Sequence, residues 1–141
     1  MLRKYNVLIA DDEPEDRFLL KLVIRKRAPR LEVVGEVADG EKVVDYLSGN
    51  GPFADRQRHP FPDLLILDLR MPLMDGHEVL AWLKTQNLPP LAVAVLAAPS
   101  PETNRFDVLR SGVDHYFPKT AELHDLEQML RALEESLAGK A

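Results

Sequence analysis

The sequence predicts an α/β fold in which five parallel strands form one sheet covered by helices on both faces. Short apolar runs alternate with longer stretches whose apolar residues recur at every third or fourth position, as strands alternate with helices. The first, third and fourth short runs contain few polar residues, which is typical of strands buried on both faces of a parallel sheet. Five strand–helix units of a doubly wound sheet are therefore expected.

Composition limits the class of protein. With 141 residues, of which 45% are hydrophobic, residues 1–141 are predicted to form a single domain with a proper core. The formal net charge of −5 provides no broad basic surface for nucleic acid or an anionic membrane. The absence of cysteine excludes disulfides, thiolate chemistry and cysteine-ligated metals. The first apolar run has only four residues, too few for a signal peptide or a membrane span, so a cytoplasmic protein is expected.

The predicted strands are bounded by polar and turn-forming residues. They cover residues 7–10, 31–37, 64–67, 91–96 and 115–117.

Helix signals lie between these strands. Pro14 can begin the first helix at a position that needs no amide donor. Ser100 can cap the fourth helix, Pro101 can occupy its first turn and Gly112 can end it. The fifth helix is indicated by a stripe that is predicted to be chiefly core, formed by Leu123, Leu126, Leu130, Leu133 and Leu137.

Residues 48–62 interrupt this alternation. Turn formers and charges dominate the segment SGNGPFADRQRHPFP, and only its two phenylalanines could be buried. A long loop is therefore predicted before the third strand, and loops of this length tend to be functional or mobile. No internal repeat or domain boundary is evident.

Acidic residues follow two of the predicted strands. Asp11, Asp12 and Glu13 come directly after the first strand, and Asp68 ends the third. Ligand sites in open parallel sheets form beyond the carboxyl ends of the strands, where the strand order reverses. If the first and third strands are neighbours, as in the flavodoxin-like order, three acids converge there. Clustered carboxylates favour a hard cation, and Mg²⁺ prefers such ligands.

The acid cluster also suggests a reaction. A carboxylate can attack phosphorus and form an aspartyl phosphate, while Mg²⁺ and a lysine offset the charge of the phosphoryl group. Lys119 follows the fifth strand and is expected to reach the same edge. Taken singly, each motif is better explained by ordinary capping or surface charge, and Asp75 before Gly76 is interpreted as a helix cap. The acids after the first and third strands and the lysine after the fifth together favour a site for phosphoryl transfer.

Three motifs carry a resemblance to a known family. They are VLIADDEPEDR, LLILDLRMPLMDGHEVL and GVDHYFPK. From about Asn6 to about Leu137 the chain resembles the receiver domain of two-component response regulators. The long third loop further resembles stand-alone regulators associated with phytochrome-type kinases. The resemblance implies a flavodoxin-like (βα)5 fold with strand order 2-1-3-4-5.

The resemblance also implies roles for individual residues. Asp68 is expected to accept a phosphoryl group from a phosphohistidine of a sensor histidine kinase. Asp11, Asp12 and Asp68 are expected to bind Mg²⁺ together with the backbone carbonyl of Arg70. Lys119 is expected to contact the phosphoryl group. Tyr116 matches the aromatic residue whose rotation reports phosphorylation in the family.

The sequence departs from the family pattern at three positions. Ala97 stands where the family usually has Thr or Ser, whose hydroxyl bonds a phosphoryl oxygen, so weak conformational switching is expected. Ser100 lies nearby, but its expected role is capping. Thr120 replaces the proline usual after the lysine. Arg70 places a cation beside the site, where it could attract phosphodonors, shield the acyl phosphate or simply form a surface salt bridge.

The expected output is a contact with a downstream protein or phosphotransfer partner, because only one helix follows the fifth strand. In the family, dimers or partners use the fourth helix, the fifth strand and the fifth helix. The main alternative is a pseudo-receiver that binds proteins without phosphorylation, and Ala97 is its main support. A haloacid-dehalogenase-type phosphatase requires a second acid where Arg70 lies. The segment GNGPFA lacks the strand-to-helix context of a dinucleotide-binding motif.

Overall fold

The computed structural model describes residues 3–98, 113–119 and 122–139. Its five strands form one parallel sheet in the order β2-β1-β3-β4-β5, which confirms the predicted strand order. The strands are β1 (Tyr5–Ala10), β2 (Leu31–Val37), β3 (Leu64–Asp68), β4 (Ala92–Ala97) and β5 (His115–Pro118).

Four α-helices lie among the described residues. They are α1 (Pro14–Arg27), α2 (Gly40–Ser48), α3 (Gly76–Lys84) and a C-terminal helix (Leu123–Gly139). The fourth helix predicted between Ser100 and Gly112 lies outside the described residues. No described helix has the length and apolar character needed to cross a membrane.

The core has two apolar clusters, one on each face of the sheet. Val7 and Ile9 of β1 pack with α1 and the C-terminal helix, whereas Leu8 and Ala10 pack with α2 and α3. This alternation follows from the two-residue period of a strand. The predicted leucine stripe belongs to the first cluster, except that Leu123 is 52% exposed. The sheet is therefore buried on both faces, as its continuous apolar strands require.

The helices that follow β1, β2 and β3 begin at residues that cap a helix or suit its first turn. The carboxylate of Asp75 accepts a hydrogen bond from the amide of Glu78, whose side chain accepts one from the amide of Asp75. This capping box confirms the capping interpretation of Asp75. Asp39 caps α2 through the amide of Lys42, and α1 begins at Pro14.

Two helix-starting glycines allow a close approach to the loop between β3 and α3. The amide of Gly76 donates to Leu69 O at 2.9 Å, and a Cβ at Gly76 would lie 2.8 Å from Asp68 O. The amide of Gly40 donates to Met74 O at 2.9 Å, and a Cβ there would overlap that carbonyl. These contacts fix the chain that leaves Asp68, because neither helix can accept a side chain at its first residue.

The long segment before β3 is tied to the C-terminal end of α2 by one arginine. Arg56 donates to Tyr46 O, Leu47 O and His59 O at 2.8, 2.9 and 3.2 Å. The Tyr46 hydroxyl donates to Pro60 O at 3.0 Å, and the Phe53 and His59 rings pack edge to face. The amides of Gly49 and Asn50 already bond Tyr46 O and Asp45 O at the end of α2. The guanidinium adds a second donor to Tyr46 O and bonds Leu47 O, so it completes the C-terminal cap and draws the segment onto the helix.

We expect Arg56→Lys to lower the free energy of unfolding by about 1–2 kcal/mol, because an ammonium cannot reproduce the planar fork that reaches three carbonyls. Urea denaturation followed by the fluorescence of Trp82 measures the change. Arg58→Lys is the matched control, because Arg58 is an exposed arginine in the same segment, and it should change stability by less than about 0.5 kcal/mol. Equal effects of the two substitutions would show that Arg56 does not cap α2.

Candidate active site

Three carboxylates meet at the carboxyl edge of the sheet. Ala10 of β1 pairs in register with Leu67 of β3, so the residues that follow them lie at the same level. One ligand oxygen from each of Asp11, Asp12 and Asp68 lies within 4.8 Å of the others. The adjacency of β1 and β3 therefore brings together the acids that the sequence places at two separate strand ends.

Asp11 is the most buried member of this cluster, with 1% of its surface exposed. Its Oδ1 accepts a hydrogen bond from the amide of Glu13 at 3.0 Å. Its Oδ2 lies 3.1 Å from the Lys119 ammonium, but this approach lacks the angles of a hydrogen bond. Asp11 Oδ2 therefore has a charged neighbour and no hydrogen-bond donor among the described residues, as expected of an oxygen that can ligate a cation.

Asp68 occupies the end of β3 and is 4% exposed. Its Oδ1 accepts a hydrogen bond from the amide of Arg70 at 3.1 Å, and its Oδ2 accepts one from Lys119 at 2.9 Å. The carboxylate is thus held in one orientation by a backbone donor and a charged donor. The guanidinium of Arg70 is exposed and forms no ion pair with any described carboxylate.

Lys119 follows β5, and its ammonium lies among three carboxylates. It is 3.1 Å from Asp11, 2.9 Å from Asp16 and 2.9 Å from Asp68. Burial alone would lower the pKa of Lys119, but the close contacts of its ammonium with the carboxylates of Asp16, Asp68 and Asp11 outweigh burial and raise that pKa. The ammonium therefore stays charged and offsets part of the repulsion between the acids.

Asp12 is the exposed member of the cluster and faces an open cleft of about 420 Å³. The cleft is also lined by Arg70 and Met71 of the loop after β3. A ligand can therefore reach the carboxylate of Asp12 from this cleft, whereas the carboxylates of Asp11 and Asp68 are buried.

The carboxylates fit a magnesium ion. Ligand oxygens of one octahedral Mg²⁺ lie at most about 4.2 Å apart, twice the Mg–O distance of about 2.1 Å. The ligand oxygens of Asp11, Asp12 and Asp68 lie within 4.8 Å of one another, which is close to this distance. A small movement of the side chains would therefore bring all three oxygens onto one ion. The buried Oδ2 of Asp11 without a hydrogen bond supplies the open ligand position. Asp11, Asp12 and Asp68 are the described side chains that would hold the ion.

Four other residues singled out by the sequence analysis have different outcomes. Ala97 is 2% exposed at the end of β4, where its carbonyl accepts a hydrogen bond from the amide of Lys119 at 2.8 Å. Tyr116 lies on β5 and is partly buried. Ser100 and Thr120 lie outside the described residues.

Sequence reasoning missed two residues on the first turns of α1. Asp16 pairs with Lys119, and Arg17 donates to the backbone carbonyl of Asp11 at 2.6 Å. Arg17 also pairs with Glu36 of β2 at 3.0 Å, which ties α1 to the edge strand. The signal was present, because Asp16 and Arg17 lie within two turns of the acid pair, but charges on a first turn are commonly interpreted as dipole-compensating.

Burial raises the pKa of Asp11 from its ordinary 3.8 to about 6. The Glu13 amide and Lys119 act against this effect, and the charge of Asp68 adds to it. A raised carboxyl pKa means that the folded protein binds a proton more tightly than the unfolded chain. As pH rises from about 4 to about 6, Asp11 ionises more readily in the unfolded chain than in the folded protein, so the free energy of unfolding falls. Above pH 6 this loss of stability stays at its full value.

We expect Asp11→Asn to stabilise the metal-free protein at pH 7 by at most about 3 kcal/mol, from about two pKa units at about 1.4 kcal/mol each. The gain should shrink below pH 6 and vanish near pH 4. Thermal or urea unfolding in chelator at several pH values measures it. Asp12→Asn is the matched control, because an exposed carboxylate carries little desolvation cost. An Asp11→Asn gain that does not depend on pH would contradict the burial of an ionised carboxylate.

Comparisons with known proteins agree with this geometry. Residues 7–131 match the sequence model of the response regulator receiver domain family. The nitrate/nitrite response regulator NarL of Escherichia coli is 33% identical over 134 residues, which cover 95% of this chain and 55% of NarL. The regulator BvgA of Bordetella pertussis is 34% identical over 130 residues, 92% of this chain and 56% of BvgA. The chain thus spans about half the length of these curated relatives.

Solved structures similar to this one include regulators of light signalling. The phosphorylated cyanobacterial phytochrome response regulator RcpA has a TM-score of 0.82 and 31% identity, with 98% of this chain and 96% of RcpA covered. RPA3017, in red light signalling of R. palustris, has a TM-score of 0.79 and 30% identity, with 92% and 90% covered. The Mn²⁺-bound form of Rcp1 has a TM-score of 0.74 and 29% identity, with 93% and 92% covered. The chain belongs to the response regulator receiver domain family of two-component systems.

Proposed function

We propose that residues 1–141 act as a single receiver domain that accepts a phosphoryl group on Asp68 from a sensor histidine kinase. The observation that carries this proposal is the buried carboxylate of Asp68, which lies beside two further acids and 2.9 Å from the Lys119 ammonium. Receiver domains accept phosphoryl groups from histidine kinases. Phytochrome-associated regulators among the similar structures support a sensor kinase of that type as the donor.

The arrangement supports an in-line displacement at phosphorus. An oxygen of Asp68 forms a bond to phosphorus while the bond from phosphorus to the donor nitrogen breaks. The leaving imidazole keeps that electron pair, and the product is an aspartyl phosphate. The Arg70 amide and Lys119 orient the carboxylate, because each donates to one of its oxygens. When bound, Mg²⁺ supplies positive charge that offsets the phosphoryl oxygens.

Lys119 is suited to stabilise the incoming group. Its side chain is 24% exposed, and its ammonium already lies 2.9 Å from the carboxylate that reacts. A donor with this fixed position needs little reorganisation when charge develops on the phosphoryl oxygens. The same contacts would assist both formation and hydrolysis of the acyl phosphate, so the domain would help its own phosphorylation and dephosphorylation without being a classical enzyme.

The output of the domain would be a protein contact, made in the cytoplasm as is typical of response regulators. A downstream protein, a phosphotransfer partner or a second copy of the chain would contact the surface that includes β5 and the C-terminal helix. Tyr116 lies on β5 and is the residue proposed to report the state of Asp68.

Ala97 favours a second candidate function, a pseudo-receiver that binds partners without phosphorylation. Its methyl group is buried at the end of β4, where the family usually presents a hydroxyl to the phosphoryl group. The acid cluster and Lys119 are nevertheless all present. We therefore propose that Asp68 is phosphorylated but that the conformational response is weak.

We expect the protein to gain one phosphoryl group when incubated with acetyl phosphate and Mg²⁺, and to lose this reactivity in chelator. Intact-mass spectrometry measures the adduct, and beryllofluoride binding provides a second readout. Asp68→Asn should abolish both. Asp55→Asn, at an exposed aspartate of the segment before β3, is the control and should react as the wild type does. An adduct that persists in Asp68→Asn, or none on the wild type, would refute the proposed phosphoacceptor.

We expect Ala97→Thr to lengthen the lifetime of the aspartyl phosphate about tenfold, because one hydrogen bond to a charged oxygen contributes about 1.5 kcal/mol. The decay of the intact-mass adduct measures the lifetime. Ala97→Val is the matched control, because valine has nearly the shape of threonine and no hydroxyl. Equal lifetimes in the two variants would show that the absent hydroxyl does not limit the chemistry.

A further inference from the structure

Asp16 is the one carboxylate paired with Lys119 that lies outside the candidate metal cluster of the described residues. Its Oδ2 is 2.9 Å from the ammonium, as close as Asp68 and closer than Asp11. It projects from the first turn of α1, and its side chain is 33% exposed. The cluster that could hold a metal consists of Asp11, Asp12 and Asp68. Asp16 therefore contacts the lysine without belonging to the proposed ion site.

Of the three carboxylates around Lys119, Asp16 is the one that would not bind the metal ion or the phosphoryl group. An ammonium has three N–H donors, and in this structure three carboxylates surround it. Asp11 and Asp68 are the carboxylates that a metal ion and a phosphoryl group would engage. The ammonium would then turn from Asp11 and Asp68 to the phosphoryl oxygens, whereas its ion pair with Asp16 would be kept.

We infer that Asp16 is a positioning residue that holds the Lys119 ammonium toward Asp68 during phosphoryl transfer, an inference that rests on the proposed function. A lysine side chain has several freely rotating bonds, so ordering it at each reaction has an entropic cost. The Asp16 contact keeps the side chain ordered before the donor arrives. Its effect should appear in the reaction with phosphodonors and not in the affinity for Mg²⁺.

The surroundings of the pair distinguish it from an ordinary surface ion pair. Asp16 and Lys119 border a small cavity of about 30 Å³ walled by Leu19, Leu96 and Met129. These apolar walls come from α1, β4 and the C-terminal helix, so packed hydrophobic side chains cover one side of the pair. Exposed pairs contribute little because water screens them, whereas this pair is shielded on its inner side.

The test compares Asp16→Asn with Glu15→Gln, which removes the same charge from the same helical turn. Glu15 is exposed and is not among the described carboxylates paired with Lys119. The full chain is phosphorylated with acetyl phosphate at several donor concentrations, and the rate is followed by intact mass. Mg²⁺ affinity is measured separately by calorimetry. Asp16→Asn should slow phosphorylation about three- to tenfold relative to Glu15→Gln, the cost of ordering one long side chain, with Mg²⁺ affinity within about twofold.

A double-mutant cycle separates positioning from general destabilisation. In a Lys119→Ala background, Asp16→Asn should have no further effect on the rate, because the side chain that Asp16 orders is absent. Asp16→Glu should restore part of the rate. Equal rates for Asp16→Asn and Glu15→Gln, or an additive effect in the Lys119→Ala background, would overturn the inference. So would a loss of Mg²⁺ affinity as large as that in Asp12→Asn. Failure of the wild type to react at Asp68 would instead refute the proposed function itself.

Discussion

The ion pairs of Lys119 are the interaction on which the carboxyl edge of this sheet depends. Asp11 and Asp68 are almost fully buried side by side, and each would be costly as an isolated charge. The ammonium reaches both and also reaches Asp16. One side chain therefore links the ends of β1, β3 and β5 to the first turn of α1. Loss of this lysine would leave the negative charges of Asp11 and Asp68 facing one another in a buried site.

The charge of the site is nevertheless incompletely balanced. Asp11, Asp12, Asp16 and Asp68 contribute four negative charges against one positive charge of Lys119, a formal excess of three at neutral pH. The pKa of Asp11 is raised partly for this reason, because burial and the neighbouring negative charge of Asp68 both favour its protonated form. A divalent cation relieves both costs at once, and it then allows an anionic phosphoryl group to approach acids that would otherwise repel it.

The scaffold around the site is rigid where the chemistry requires fixed geometry. Gly40 and Gly76 let the starts of α2 and α3 touch the loop that leaves Asp68. Within this loop Leu73 has a φ of 66°, a left-handed conformation that costs a non-glycine residue about 1 kcal/mol. The packing of both helices against the loop offsets this strain. The orientation of Asp68 is thus set by backbone contacts on both sides of the strand end.

The pattern of the sequence predicted alternating strands and helices and put Asp11, Asp12, Asp68 and Lys119 at strand ends, through apolar periodicity and the rule that parallel strands end at one edge. The strand order 2-1-3-4-5, which makes β1 and β3 neighbours and so brings these side chains together, followed from the resemblance to receiver domains and is confirmed by the fold. Tertiary structure decided what no local pattern contains. Arg56 as the cap of α2, Arg17 at the carbonyl of Asp11 and Asp16 at Lys119 each depend on elements that meet only after folding. A charged residue at a helix start or in a loop looks the same in sequence whether it faces water or a buried partner. Only the packing of α1 against the sheet decides which of these acids reaches the lysine.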